Sequence, residues 1–257
     1  MTLRRSDPVA APPNRPRDRA SLEEQAYNSV VVWLSRGEVK PGEPLPLRDL
    51  AKRLGMSRTP LRAAVGRLHE QGLVAYSPRF GFSVAVPTIG DLRELFDLRL
   101  MCESHALRRF ADRPDRTVPP EIPRLAEEGQ DLAGQIGTDP AKFPEFSARD
   151  GQFHQAIVAL AGSRRLSEWY DQVNLRIIIF RLGWTVPLTE ERFRASAREH
   201  LSIVEAMLQG DAGEVRRRLE AHLVRVRDQT IDRLIRADSV LPVPDSRGWL
   251  NRLGRVE

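Results

Sequence analysis

Three histidines in the second half of the chain occupy apolar positions of helical patterns. His154 follows Asp150 by one helical turn, so the two side chains share a face. His200 and His222 lie about ten residues on either side of a tight Gly-Asp turn, and an antiparallel helix pair would bring them to the same height. A single inward histidine is more often a hydrogen-bonded core residue. One carboxylate with three imidazoles favours Zn²⁺, Ni²⁺, Mn²⁺ or Fe²⁺, with positions open for a ligand.

Two arginines and one glutamate could meet a ligand at such a centre. Arg99 and Glu103 stand at positions i and i+4 of one helical pattern, where the ordinary interpretation is an ion pair worth a few tenths of a kcal/mol. The alternative is that Arg99 points into the bundle and binds an anion. Arg176, which precedes an apolar run, raises the same question. We therefore predict Arg99, Glu103 and Arg176 as effector-binding residues.

A second polar group lies nearer the N-terminus, where two short helical patterns, LRDLAKRL and RTPLRAAVGRLHE, flank a Gly-Met-Ser turn. Ser57 is a natural N-cap for the second pattern. Arg58, Thr59 and Arg62 stand near its start, where a helix-turn-helix presents its recognition helix to the major groove. Arginine can bond a guanine edge or fork onto a phosphate, and hydroxyls can contact phosphate oxygens. The pattern predicts a DNA-binding element.

Two strand patterns follow this element and complete a winged helix-turn-helix. Leu73–Tyr76 and Phe82–Val86 flank a turn that has Arg79 at its tip. Arg48 begins the first helical pattern, from which it could reach the DNA backbone. Each of these residues alone is more often a solvated surface residue, because short motifs carry a high false-positive risk. Their combination with the turn glycine, the cap and the wing favours DNA.

Composition agrees with a DNA-binding head joined to a neutral body. The 257 residues carry a net charge of +5, and residues 1–87 hold 14 basic against 8 acidic side chains, whereas the remainder holds 26 against 27. A positive excess confined to one segment suits a phosphate-facing module. The single Cys102 excludes an internal disulfide and fits the cytoplasm. The sequence shows no signal-peptide pattern and no apolar run of membrane-spanning length.

The chain is predicted to be mainly α, with an N-terminal winged helix-turn-helix and a C-terminal antiparallel bundle of six or seven helices. We expect a disordered arm over 1–20, the DNA-binding domain over 21–87, the effector-binding and dimerisation domain over 88–237, and a tail over 238–257. Capping boxes are predicted at Ser21 with Glu24 and at Thr88 with Asp91. Helices are expected near residues 21–35, 88–111, 120–136, 140–161, 163–182, 189–209 and 211–236.

The segment LRDLAKRLGMSRTPLRAAVGRLHEQGLV with RFGFSV resembles the GntR family of bacterial transcription regulators. The segments LRLMCESHAL, DGQFHQAIVALAGS and EHLSIVEAMLQGDAGEVRRRLEAHL resemble its FadR-like subgroup, which has a helical effector domain of the FCD type. The resemblance covers roughly residues 25–237 and departs at Ala63 and Ser163, where the family often has Glu and Asn. It implies DNA contacts from Arg48, Arg58, Thr59, Arg62 and a wing glycine at Gly81. It implies a metal held by Asp150, His154, His200 and His222.

The resemblance implies a ligand-responsive repressor that binds a pseudo-palindromic operator as a homodimer, with a small organic acid completing the metal's coordination sphere. No catalytic residue is predicted. One alternative is a metal-dependent enzyme acting on a small organic acid, against which the sequence places no glutamate near the ligands as general base. The other is an architectural DNA-binding protein without an effector, which would bind no metal and show loose sequence preference.

Overall fold

The computed structural model describes residues 16–35, 39–136, 139, 142–182 and 189–240. Most of the predicted N-terminal arm and C-terminal tail, and the predicted break at 183–187, lie outside these residues. Two compact units are present, the first built mainly from residues before 84 and the second mainly from residues after it. None of the described helices combines the length and the apolar character that crossing a membrane requires.

The first unit is the predicted winged helix-turn-helix. Its elements in chain order are α1 Pro16–Ser35, α2 Leu47–Leu54, α3 Arg58–Glu70, β1 Val74–Ser77 and β2 Gly81–Val84. The two strands pair as a hairpin. Helix α1 begins at Pro16 rather than at Ser21, so the predicted capping pair lies inside the helix. Proline at a first helical position needs no partner for its missing N–H, which allows this earlier start.

The turn between α2 and α3 has the predicted geometry. Gly55 ends α2 in the left-handed conformation at φ +64°. Ser57 is the N-cap of α3 in extended conformation, but its hydroxyl makes no capping hydrogen bond. Leu61, Val65 and Leu68 are fully buried along one face of α3. Burial of this face is worth about 1.5–3 kcal/mol per side chain, and it leaves the opposite face of α3 in solvent.

The described part of the second unit is a bundle of six helices. They are α4 Ile89–Ala111, α5 Glu121–Gln135, α6 Phe143–Ala159, α7 Arg164–Leu182, α8 Glu190–Gln209 and α9 Ala212–Val240. Each lies close to a predicted range, and α9 extends a turn further. The predicted box opens α4: the amide of Asp91 donates to the Thr88 hydroxyl at 3.0 Å, and the Thr88 amide donates back to the Asp91 carboxylate at 2.7 Å.

Helix α6 lies at the centre of the bundle, where it packs against α4, α5 and α7. Phe153 and Ile157 of α6 are fully buried in an apolar cluster that also holds Ile203 of α8 and Leu219 of α9. Helix α7 approaches α6 at Gly151, where an added Cβ would lie 2.8 Å from a methyl carbon of Ile178. This close contact restricts the rotation of α6 about its own axis. His154, about one helical turn after Gly151, therefore faces the interior in a defined direction.

Candidate metal centre and nucleic-acid interface

Three imidazole rings from three helices meet inside the bundle. His154 of α6, His200 of α8 and His222 of α9 are all buried. The Nε2 atom of His200 lies 3.1 Å from Nε2 of His154 and 3.2 Å from Nε2 of His222. The three residues form the group of potential metal ligands found among the described residues. The equal-height argument for His200 and His222 thus predicted a real juxtaposition.

The ring separations fit nitrogens that share one ion. Two nitrogens, each about 2.1 Å from the same metal, stand about 3.0–3.4 Å apart at octahedral to tetrahedral angles. The His154 Nδ1 faces Glu103 Oε2 at 2.7 Å, and the His222 Nδ1 faces Glu199 Oε2 at 2.6 Å. A carboxylate only accepts, so each Nδ1 donates and each Nε2 presents a lone pair to the common point. The donor set therefore suits a divalent cation.

The protonation states of the rings also favour a metal. Burial lowers the pKa of His222 to about 4, although the hydrogen bond to Glu199 opposes this shift. Burial also holds the pKa of His200 well below its ordinary value, and the neighbouring His222 and His154 lower it further. Both rings are neutral at pH 7 in consequence. Metal ligation requires neutral imidazole, so neither ring needs to lose a proton first.

Glu103 connects His154 to two other buried side chains. Its Oε1 accepts from Arg99 Nε at 2.8 Å and from the Tyr170 hydroxyl at 2.6 Å. Burial by itself would raise the pKa of Glu103, but the electrostatic interactions and hydrogen bonds with His154 and Arg99 outweigh it and bring the pKa to about 2. The Glu103 carboxylate is thus ionised, and both of its oxygens already accept hydrogen bonds. The geometry favours a role for Glu103 in orienting His154 over direct contact with an effector.

Glu199 repeats this arrangement on the other side of the centre. The side chain of Arg225 donates to both Glu199 oxygens at 2.5 Å, and Glu199 accepts from His222 as well. Burial opposes ionisation of Glu199, but the hydrogen bonds from His222 and Arg225 lower its pKa below the ordinary value. Sequence reasoning missed Glu199 and Tyr170. The position of Glu199 directly before a predicted ligand was the available signal.

Asp150 lies beside the three rings, although less tightly. Its Oδ1 is 3.7 Å from Nε2 of His200, and the residue is buried. Asp150 is outside the close group of three histidines. The helical spacing of Asp150 and His154 does turn both toward the same interior. A carboxylate here could supply an oxygen ligand, which leaves this fourth position a prediction.

Buried polar atoms without hydrogen-bond partners among the described residues lie on α4, α6 and α8. The Nη2 of Arg99, the Oγ of Ser147 and the Oγ of Ser196 are buried and make no hydrogen bond among the described residues. Ser147 precedes Asp150 by one turn of α6, and Ser196 precedes His200 by one turn of α8. A buried donor left unsatisfied costs about 1–3 kcal/mol, and more when it is charged. Arg99, at 1% exposure, is therefore poised for an acceptor that the described residues do not supply.

Arg176, the third predicted effector residue, is half-buried on α7 two positions after the buried Asn174. Its role stays a prediction. Two glutamates that the sequence did not place near the ligands, Glu103 and Glu199, each contact a ring. Their distance in sequence from His154 and His222 concealed this proximity. Both carboxylates are engaged by arginine and histidine, which leaves neither of them arranged as a general base.

The predicted DNA-contacting residues share the exposed surface of the first unit. Arg48 of α2 and the residues Ser57, Arg58, Thr59 and Arg62 around the start of α3 are all exposed. Within the described ranges the three arginines form no ion pair. Ser57, which makes no capping bond, keeps its hydroxyl open for a phosphate oxygen. The arrangement suits contact with a polyanion.

The wing places its turn in solvent beside this surface. Arg79 is exposed, with its Cζ 5.2 Å from the centroid of the Phe80 ring. Gly81 begins β2 at φ +75°, a conformation that side-chain-bearing residues rarely adopt. Gly81 therefore shapes the turn and allows close approach of the backbone. Phe80 was not singled out from the sequence, because an apolar residue in a turn has no obvious polar chemistry.

Comparison with known proteins places these features in a family. Residues 22–84 match the model of bacterial regulatory proteins of the gntR family, and residues 94–225 match the FCD domain. The HTH-type transcriptional regulator YdhC of Bacillus subtilis is 28% identical over 77% of this chain and 86% of its own length. The HTH-type transcriptional repressor NanR of Cronobacter sakazakii is 26% identical over 81% and 85%.

The fold is shared with the solved structure of Escherichia coli McbR/YncC. The two chains superpose with a TM-score of 0.66 at 22% sequence identity, covering 82% of this chain and 97% of the other. The relatives are named as regulators, and this chain is a DNA-binding transcription regulator rather than an enzyme. Its two matched segments cover both structural units. The chain belongs to the GntR family of bacterial regulatory proteins and carries an FCD domain.

Proposed function

We propose that this regulator is a ligand-responsive repressor that binds a pseudo-palindromic operator as a homodimer in the bacterial cytoplasm. Two copies of α3 related by a two-fold axis would read two half-sites. Base contacts come from Arg58 and Arg62, and phosphate contacts from Arg48, Ser57 and Thr59. The support is that these side chains are exposed and that the arginines have no ion-pair partner in the described part of the chain.

The effector of this repressor is a small carboxylate that binds at a metal centre. The observation that carries this proposal is the convergence of three Nε2 atoms, with that of His200 3.1 and 3.2 Å from the other two. In the same interior lies the Nη2 of Arg99, which has no hydrogen-bond partner among the described residues. His154, His200, His222 and Asp150 hold the ion, which supplies positive charge and open coordination positions when bound. Arg99 donates to the carboxylate, and the hydroxyls of Ser147 and Ser196 donate to further oxygens of the acid.

Effector binding acts on the DNA-binding unit through the chain itself. Arg99 lies on α4, which begins at Ile89, shortly after β2 of the wing ends at Val84. A ligand that draws Arg99 toward α6 and α8 shifts the position of α4, the helix to which the wing is covalently joined. Coupling of this kind is reciprocal, so an effector that weakens operator binding is itself bound more weakly by the operator complex.

In vitro selection with the purified full-length protein tests this proposal. A random duplex library should yield an enriched two-fold symmetric sequence, and light scattering should give twice the 29.1 kDa chain mass. A panel of small carboxylates should release the selected duplex with metal present and should fail after chelation. The same carboxylates should raise the melting temperature, because a ligand of the folded state stabilises it by mass action. Metal-independent release, or a metal-free preparation that resists loading, would refute the metal-assisted mechanism.

A further inference from the structure

The tip of the wing carries an aromatic ring that the contacts above leave unused. Phe80 is 76% exposed, which is the highest value for a large apolar side chain among the described residues. It lies in the turn between β1 and β2, preceded by Arg79 and followed by Gly81. A solitary exposed apolar residue is common and requires no special explanation. Three features suggest a specific role for this ring: the packed hairpin that carries it, its position directly after α3, and the neighbouring Arg79.

The hairpin that carries Phe80 is held firmly against α3. The rings of Tyr76 on β1 and Phe82 on β2 pack with their centroids 4.9 Å apart. The His69 ring of α3 donates from Nδ1 to the carbonyl of Val74 at 2.8 Å. Pro78 has a fixed φ at the start of the turn, and Gly81 closes it at φ +75°. The Phe80 ring is therefore presented to solvent by a hairpin that packs on itself and is hydrogen-bonded to α3.

On a duplex with α3 in the major groove, the wing would carry this ring toward the minor groove. Helix α3 ends at Glu70 and β1 begins at Val74, so the hairpin directly follows the recognition helix. When α3 occupies the major groove, the hairpin passes over the adjacent phosphate backbone. The next surface that its tip meets is the minor groove, about 6 Å wide. A turn with one protruding ring fits a groove of that width.

The neighbour of Phe80 adds charge to this apolar tip. The Arg79 guanidinium lies with its Cζ 5.2 Å from the Phe80 ring centroid. Cations are drawn to the negative potential of a narrow minor groove, and apolar side chains that enter the groove insert between base pairs and kink the duplex. The turn thus combines a group that attracts the groove with a group that unstacks its bases.

We propose that Phe80 is a minor-groove wedge, which inserts beside each operator half-site and bends the DNA while Arg79 occupies the groove next to it. This inference rests on the operator binding proposed above. Because insertion requires unstacking, the operator should carry a flexible pyrimidine–purine step under the wing tip, although no hydrogen bond reads it. Phe80 thereby contributes to sequence preference through the deformability of the DNA.

The test uses duplexes that the full-length protein enriches from a random library. 2-Aminopurine, whose fluorescence is quenched by stacking, replaces one base at a time across the flank of each half-site. The wild-type protein should raise the fluorescence at one step only and should bend the duplex by about 20° or more, as measured by end-to-end energy transfer. Phe80→Ala should abolish both signals and weaken binding roughly tenfold. Phe80→Leu should retain part of each signal.

A matched control removes another strongly exposed apolar side chain, this one in the second unit. Leu208 is 65% exposed on α8, and Leu208→Ala should leave fluorescence, bending and affinity unchanged. Fluorescence that stays flat at every position, or that rises equally with Phe80→Ala, would overturn the wedge while operator binding stands. Loss of the dimer mass in Phe80→Ala would instead assign the ring to a protein contact. Failure to enrich any duplex would reject operator binding itself, and the wedge with it.

Discussion

His222 Nδ1 lies 2.6 Å from Glu199 Oε2, and the same carboxylate is held by the side chain of Arg225 through two contacts. His154 and Glu103 form the corresponding pair at 2.7 Å, with Arg99 and Tyr170 behind the carboxylate. Two carboxylates therefore set two rings so that each Nε2 faces the centre of the bundle. Outer partners of this kind fix the tautomer and the orientation of a metal ligand.

Glu199→Gln should weaken metal binding about 10–100-fold while leaving the three histidines in place. The amide can still approach His222 but no longer carries the charge that favours the Nδ1–H tautomer. Competition against a fluorescent chelator measures the change. Glu205→Gln, at a 61% exposed position of the same helix, is the matched control and should bind metal like the wild type. Equal affinities for the two variants would show that Glu199 does not orient the ring.

His200→Ala should remove the metal and the carboxylate response while leaving a folded dimer. His200 stands between the other two rings, so its loss removes both of the short Nε2 separations. Elemental analysis and light scattering of the purified variant check this expectation. His105→Ala, at an exposed position of α4, should retain the wild-type metal content. A fully loaded His200→Ala protein would exclude His200 as a ligand.

The sequence predicted the helices and the recognition element because each depends on local periodicity, and it predicted the approach of His200 to His222 because a short turn at Gly210 joins their helices. The N-cap position of Ser57 and the left-handed conformation of Gly55 agree with their residue types, although the Ser57 hydroxyl makes no capping bond. Glu103 and Glu199 could not be assigned in the same way. Their partners lie on other helices, so their orienting role depends on the rotation of packed helices, which a one-dimensional pattern does not encode. Helix α1 begins at Pro16 although the sequence favoured Ser21, because proline and serine are both suited to the start of a helix.

Acid should destabilise the metal-free protein before its carboxylates titrate. The pKa of His222 is about 4 in the folded protein against an ordinary value of 6.5, so the unfolded chain binds more protons between these values. Stability conferred by neutral His222 is present above pH 6.5 and is lost as the pH falls toward 4. Between pH 7 and pH 5 the loss from this ring is about 2 kcal/mol. Urea titrations in the presence of chelator measure it.

The matched variant for this pH dependence is His222→Gln, because glutamine does not titrate. Its stability at pH 7 will be lower, but the slope between pH 7 and pH 5 should be shallower than that of the wild type. Saturating metal should also shift the loss of stability to lower pH, since the bound ion competes with protons for the ring nitrogen. A slope unaffected by His222→Gln would assign the acid sensitivity to other groups.

Arg58→Ala and Arg62→Ala should each cost about 1–3 kcal/mol in binding to the selected duplex if the side chain reads a base. Both side chains are exposed near the start of α3 and neither forms an ion pair within the described ranges, so removal should not disturb the fold. Gel-shift titrations at fixed salt provide the measurement. Arg165→Ala, an exposed position on α7, controls for the loss of one positive charge. Unchanged affinity on a matched duplex would remove the residue from the reading surface.

Arg99→Lys should weaken the effector without unfolding the bundle. The guanidinium uses Nε to hold Glu103 and leaves Nη2 for a ligand, a division that a lysine ammonium cannot reproduce at one fixed point. Arg99→Ala would also break a buried ion pair, which costs about 3–5 kcal/mol, so the lysine variant separates binding from stability. Calorimetric titration with the carboxylate that releases the duplex should show at least about tenfold weaker binding. Arg198→Lys, at a 55% exposed position of α8, should titrate like the wild type. If Arg99→Lys did so too, the carboxylate would have to bind through the metal and the serines alone.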